Sequence, residues 1–396
     1  MLESGSSPFD SVWSADRTES YVIVTGFALF SMFFGAGNLL YPLVLGQLCG
    51  QAVPFGLVGW SITSVGLPLL GLITMTLYRG NYRAFFAPLG AWPRFCLLLL
   101  ILMLIGPFGA IPRCITFAHA SCARFLPACP LSLFSLVFCA LLYLLAQRPE
   151  KVVQQLGYLL APLLLCSLTV LFIQGFLTVE ELTPNSAPAF EAFFLGVDRG
   201  YQTMDLLGAF FFSSLLFFPQ NKVEPSTSDE LMATVKACSL AGVLLLASYG
   251  GLAYLGAAHA EQLASIDAEQ FFAQVAWLTL ERSYRAAIAC TIVLLCCVTT
   301  GVALISLFAR FIQEEVSCSN VSYRACLLIS LSITFALSTL HFAGIALLLE
   351  PLIYLCYPAL IVLTLCNLAH QVWGWKMICT PFYIALAITC LLYGLL

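Results

Sequence analysis

Stretches of about twenty apolar residues, each long enough to cross a hydrocarbon core of about 30 Å as a helix, recur along the whole of this 396-residue chain. Only 9% of its residues are charged, against roughly 25% in a soluble domain. That is too little polar surface to cover a water-soluble body of this length. A transmembrane β-barrel would alternate in short segments, whereas these runs are solid. The chain is therefore expected to be an all-α polytopic membrane protein.

The runs place spans near 21–49, 53–78, 95–119, 131–147, 155–178, 191–218, 231–257, 286–311, 324–341, 343–369 and 378–395. The split between the ninth and tenth rests only on His341 and its neighbours. The acidic stretch 179–190 divides a first set of five helices (21–178) from a second (191–369), with an additional helix at 378–395. Residues 1–20 read as a polar cytosolic tail without the basic start and early apolar core of a signal peptide. The longest polar insertions, about 219–230 and 258–284, leave room for a short surface helix each.

Orientation follows from the basic residues. With the N-terminus inside, Arg17, Arg79, Arg83, Arg94, Arg148, Lys151, Lys222, Lys236, Arg310, Arg324 and Lys376 all fall on the cytoplasmic side. Glu180, Glu181, Glu261, Asp267 and Glu269 fall on the other. No basic run suggests nucleic acid. Seventeen cysteines lie scattered in apolar runs, without paired CxxC motifs, and the four histidines are far apart, so the cysteines read as small apolar residues rather than metal ligands.

The first span is interrupted at Gly35-Ala36-Gly37-Asn38. Glycine in a helix interior costs about 1 kcal/mol relative to alanine, so two of them beside Asn38 point to local unwinding. Unwound backbone in a membrane needs partners that lipid does not supply. Half-helix N-termini hold carboxylates and freed carbonyls hold cations; the alternative is close helix packing. The polar Asn38 favours the ligand reading. A second interruption, from Gly196 through Asp198, Arg199, Gly200 and Tyr201 to Asp205, opens the second set of five. Two interrupted helices in corresponding places point to an inverted-repeat transporter. Asp205, deep in its span, needs a partner or a cavity, or else caps a half-helix.

In the eighth span, Thr299 and Thr300 precede Gly301. Their hydroxyls either ligate a hard cation or bond the preceding turn of their own helix; taken alone, the second reading is the simpler. In the third span, Gly106-Pro107 and Pro112 predict a kink, followed by Arg113. Arg113 reads either as an outer gate paired with Asp198 or another acid, which is preferred, or as a snorkelling residue. Glu350, beside Pro351, is an intramembrane carboxylate without an assigned role.

Together these stretches resemble one family, the bacterial branched-chain amino acid:cation symporters. Phe33-Phe34-Gly35-Ala36-Gly37-Asn38-Leu39 is similar to its first-helix signature, and Gly106-Pro107-Phe108 with Ile111-Pro112-Arg113 to its third-helix motif. Gly200-Tyr201-Gln202-Thr203-Met204-Asp205 is similar to the sixth, and Thr299-Thr300-Gly301 to the eighth. The resemblance implies a leucine-transporter-like fold with 5+5 inverted repeats, about eleven transmembrane helices and broken first and sixth helices. It also implies a bacterial inner-membrane location.

By motif position, the substrate's charged groups are implied at Gly35, Ala36, Gly37, Tyr201, Gln202, Thr203 and Met204. One sodium ion is implied at Asn38, a carbonyl near Phe33 and Thr203. A second is implied between carbonyls near Ser31 and Phe34, the hydroxyls of Thr299 and Thr300, and a carbonyl near Cys296, which turns the two threonines toward cation binding. Arg113, Asp198 and Asp205 become gate or coupling candidates. Family members usually carry a twelfth helix that this sequence lacks.

The expected function is import of Leu, Ile or Val by cation symport, with sodium as coupling ion and no other cofactor; the expected partners are the amino acid and the bilayer. A proton-coupled or uncoupled carrier of another neutral amino acid is the nearest alternative and would centre on Asp205 or Glu350. An intramembrane enzyme would need a nucleophile–base or metal constellation, and neither HExxH nor GxSxG occurs. A channel would need a repeated pore loop or a charged ring.

Overall fold

The computed structural model describes residues 8–125, 129–179, 188–217, 227–317, 320–339 and 341–394. Every regular element among them is helical. Six helices are long and apolar enough to cross a membrane: Ala36–Leu77, Ala91–Ala123, Val152–Thr178, Leu231–Ala258, Arg285–Val316 and Pro351–Trp373. Shorter apolar helices are Ser20–Phe33, Leu131–Ala146, Asp205–Leu216, Tyr323–Ser338 and Cys379–Leu392. Ala36–Leu77 joins the second half of the first span to the whole of the second. With Ala189–Tyr201, these account for the eleven spans read from the sequence.

Both expected interruptions are present. The first span is Pro8–Phe33 followed by Ala36–Cys49, and the sixth is Ala189–Tyr201 followed by Asp205–Phe217. The third span is more than kinked: Gly106 to Gly109 form a turn between Ala91–Ile105 and Ala110–Ala123. Pro107 lacks the N–H that would continue the helix. The first helix starts at Pro8, so the stretch read as a cytosolic tail is helical from there on. Two other readings change. The ninth helix ends at Ser338, before His341. The insertion at 258–284 carries two helices, Ala260–Leu263 and Phe271–Thr279, and the second buries Phe271, Phe272, Val275 and Ala276. Glu180, Glu181, Lys222, most of the 219–230 insertion and the Glu350 side chain lie outside the described residues.

Two glycine pairs set how the broken spans pack. A Cβ on Gly46, in the first span, would lie 1.9 Å from the Ala253 carbonyl oxygen of the seventh. One on Gly256 of the seventh would lie 2.3 Å from the Leu43 oxygen. The sixth span repeats the arrangement against the second: a Cβ on Gly196 would lie 2.0 Å from the Gly56 oxygen, and one on Gly59 2.1 Å from the Phe193 oxygen. Glycines at facing positions let helix backbones touch, and in lipid such van der Waals contact is a main source of association. The first span thus leans on the seventh as the sixth leans on the second, which brings both breaks to one central region.

Candidate functional site

The breaks line a common cleft with a cavity of about 40 Å³, with Phe33, Gly35, Ala36, Gly37 and Asn38 on one side and Thr203, Met204 and Asp205 on another. Arg113 and Cys114 of the third span and Thr300 and Leu304 of the eighth complete it, together with the apolar Met32, Ile105 and Phe212. At the sixth-span break Met204 takes φ +63°, a left-handed conformation costly for a side-chain-bearing residue. It turns the chain between the two half-helices, and its carbonyl accepts from the Leu207 N–H at 3.0 Å.

Asp205 has its partner. Asn38 Nδ2 donates to Asp205 Oδ2 at 2.6 Å and to the Tyr249 hydroxyl oxygen at 2.7 Å. Those bonds use both amide hydrogens, so Oδ1 is the atom left to accept or coordinate. The Leu206 N–H, at the start of the same half-helix, donates to the Tyr357 hydroxyl at 3.1 Å. All four side chains are buried, as polar groups at this depth must be only when hydrogen-bonded.

A second polar cluster joins the first span to the eighth. Thr299 Oγ1 donates to the Ser31 carbonyl at 2.9 Å and lies 3.1 Å from the Cys296 carbonyl. Thr300 Oγ1 lies 3.1 Å from the Met32 carbonyl and 3.3 Å from that of Ser31. The approach is close because position 35 is glycine: a Cβ there would meet Thr300 Oγ1 at 3.1 Å. Hydroxyls and carbonyls alone form an oxygen set of the kind hard cations take. Met32, absent from the sequence reading, supplies one carbonyl. The Phe34 ring stacks on Phe30 and Tyr249.

The other expected residues make contacts of their own. Thr203 Oγ1 donates to the Gly200 carbonyl at 2.8 Å. Tyr201 packs its ring against Tyr357 with centroids 5.1 Å apart. Gln202 bonds Asp198 at 3.4 Å and Tyr354 at 3.2 Å, so it joins a network beside the cleft. The expected Arg113–Asp198 pair is not among the ion pairs of the described residues: Asp198 is engaged by Arg199 at 3.9 Å, by Gln202 and by the Tyr354 hydroxyl. Arg113 Nη2 donates to the Tyr41 hydroxyl at 2.7 Å. The sequence reading missed Tyr41, Tyr249 and Tyr357. A tyrosine inside an apolar helix signals a hydroxyl that needs a partner, but not which partner.

The branched-chain amino acid transport protein family model matches residues 18–396. The branched-chain amino acid permease BrnQ of Bacillus subtilis (strain 168) is 31% identical over 371 residues, covering 90% of this chain and 83% of that protein. The permease BraB of the same organism is 28% identical, covering 88% and 80%. Among solved structures, MhsT in complex with L-phenylalanine superposes with a TM-score of 0.63 at 14% identity, covering 94% of this chain and 98% of that one. A Na+-coupled sialic acid symporter gives 0.64 at 10%, covering 95% and 90%. At such identities the superpositions show the fold alone, and it is the leucine-transporter-like one. With its family model matched from residue 18 to residue 396, the chain belongs to the branched-chain amino acid transport proteins, which are multi-pass membrane transporters and not enzymes.

Proposed function

We propose that this chain imports branched-chain amino acids into a bacterial cell by sodium symport, with its N-terminus in the cytoplasm and its central cleft alternating in access between the two faces. The observation that carries the reading is the meeting of the two breaks at one cleft, with the Thr299–Thr300 hydroxyls beside the first-span carbonyls. The half-helix ends bring backbone N–H and carbonyl groups to the cleft for the solute's charged groups. Met32, Phe33, Ile105, Met204, Phe212 and Leu304 supply an apolar wall for an aliphatic side chain. One sodium ion sits among Ser31, Met32, Cys296, Thr299 and Thr300, and a second near Asn38 Oδ1. Binding of ion and solute is reciprocal, since each raises the other's affinity by the same factor.

Proton coupling is the second reading, and a specific feature favours it: Asp205 is the only carboxylate lining the cleft among the described residues. Uptake of labelled leucine into proteoliposomes, driven by a sodium gradient or by a proton gradient of equal driving force, separates the two. Sodium-driven uptake lost in Thr299→Ala/Thr300→Ala supports the symport reading. Proton-driven uptake indifferent to those threonines overturns it and moves the coupling to Asp205.

A further inference from the structure

The geometry points to a side-chain clamp for the solute's zwitterion, in which Arg113 takes the carboxylate and Asp205 takes the ammonium. The inference rests on the amino-acid transport reading above and adds to it which groups recognise the two charges.

Both side chains are buried, with 4% and 6% of their surface exposed, and both line the same cleft. They flank the first-span break on its two polar contacts. Asn38 holds Asp205 at 2.6 Å. One turn further along, the Tyr41 ring packs so closely on the break that a Cβ at Gly37 would meet it at 3.3 Å. The hydroxyl of that ring holds Arg113 Nη2 at 2.7 Å. A cation and an anion thus stand at adjoining points of one break.

A zwitterion has no net charge, yet stripping water from either of its ends in a low-dielectric cleft is costly unless each end meets an opposite charge or strong hydrogen bonds. An arginine fork presents two parallel N–H donors to a carboxylate. A carboxylate accepts at several lone-pair sites, so Asp205 keeps acceptor capacity after taking one bond from Asn38. The polarity also agrees with the backbone: Arg113 adds positive charge near the N-terminal end of Ala36–Cys49, where an anion is already favoured.

The competing account is purely structural, with Asp205 only bracing Asn38 and Arg113 only bracing Tyr41. A functional-group cycle separates the two. Binding of leucine, leucinamide (no carboxylate) and 4-methylpentanoate (no ammonium) is measured on purified protein in saturating sodium, for the unaltered chain and for Asp205→Asn and Arg113→Gln. The clamp predicts that Asp205→Asn weakens leucine and leucinamide about tenfold or more but leaves 4-methylpentanoate within about threefold. Arg113→Gln should weaken leucine and 4-methylpentanoate similarly while sparing leucinamide.

Loss of all three ligands in equal proportion would overturn the assignment. Should either variant fail to fold, Asp205→Glu and Arg113→Lys run through the same cycle, with the same selective pattern expected at smaller amplitude and the same proportional loss refuting it. An unaltered chain that binds none of the three would overturn the transport reading together with the clamp, whereas proportional loss strikes the clamp alone.

Discussion

Replacement of Gly208 by alanine should change which branched-chain amino acid the cleft accepts. Gly208 lines the cleft one turn beyond Met204 in the helix Asp205–Phe217. A Cβ there would lie 3.0 Å from Cε2 of Phe212 and 3.2 Å from Cζ, a few tenths of an ångström too close. Phe212 has little room to yield, because it is 2% exposed and meets the Phe33 ring edge-on with centroids 5.0 Å apart. The new methyl group therefore takes its space from the cleft, directly or by tipping the ring into it. One methylene more or less in a hydrophobic pocket is worth about 1–3 kcal/mol, or about 10–200-fold in specificity. Leucine is one methylene longer than valine. We expect Gly208→Ala to lower leucine's kcat/KM by about tenfold or more and valine's by less than about threefold, measured by uptake of each labelled solute in proteoliposomes. Folding should not suffer, since alanine gains up to about 1 kcal/mol over glycine in a helix. An unchanged leucine-to-valine ratio, or equal loss for both, would show that the solute's side chain does not lie against Gly208 and Phe212.

Thr299→Val removes a hydroxyl while nearly keeping shape, and contacts to a charged partner are worth about 1.5–3 kcal/mol. The sodium concentration for half-maximal uptake should rise by about tenfold or more, with Thr299→Ser restoring most of it; a sodium titration of leucine uptake reads this directly. Gly46→Ala puts a methyl 1.9 Å from the Ala253 oxygen, and overpacking of this kind costs about 1–3 kcal/mol. Its unfolding temperature in detergent should drop clearly, whereas Gly250→Ala, with nothing within 4 Å of the added carbon, should stay near the parent. Arg83→Gln breaks contacts to Glu314 and Glu315 in the last turn of the helix Arg285–Val316. The arginine side chain is 49% exposed, so the pairs contribute less than about 1 kcal/mol; transport at physiological salt should change by less than about threefold, and a larger change would assign that cluster a role in the cycle.

The parts of the fold that depend on local chemistry were legible in the sequence. Apolar runs place the spans because lipid tolerates little else, and the glycines of Gly35-Ala36-Gly37 and Gly196–Gly200 mark where helices fail or touch. Even so, local signals misjudge degree. Gly106-Pro107 reads as a kink, but with Gly109 close behind it the structure makes a full turn between two helices. Rotation of one helix about its axis relative to another has no local signature. The expected Arg113–Asp198 pair shows this: two intramembrane charges of opposite sign made a plausible couple, while among the described residues Arg113 donates to Tyr41 and Asp198 is engaged by Arg199, Gln202 and Tyr354.

The same geometry bears on how ion and solute are coupled. Thr299 and Thr300 hold the last turn before the first break through the Ser31 and Met32 carbonyls, and Asn38, just after that break, holds Asp205 of the sixth span. The Phe33–Asn38 segment is thus fastened to the eighth span on one side and to the sixth on the other. In the proposed cycle a sodium ion between the threonines and those carbonyls replaces hydroxyl–carbonyl bonds by ion–oxygen contacts. Its binding then changes the free energy of docking the first span on the eighth, and through Asn38 the setting of Asp205. A ligand shifts a conformational equilibrium only by its differential affinity for the two states. In that proposed cycle the threonine cluster supplies the difference for the ion, and the cleft beside it for the amino acid. If so, cross-linking the first span to the eighth should abolish sodium dependence of leucine binding without abolishing binding itself. Sodium dependence surviving the cross-link would separate the ion site from the movement.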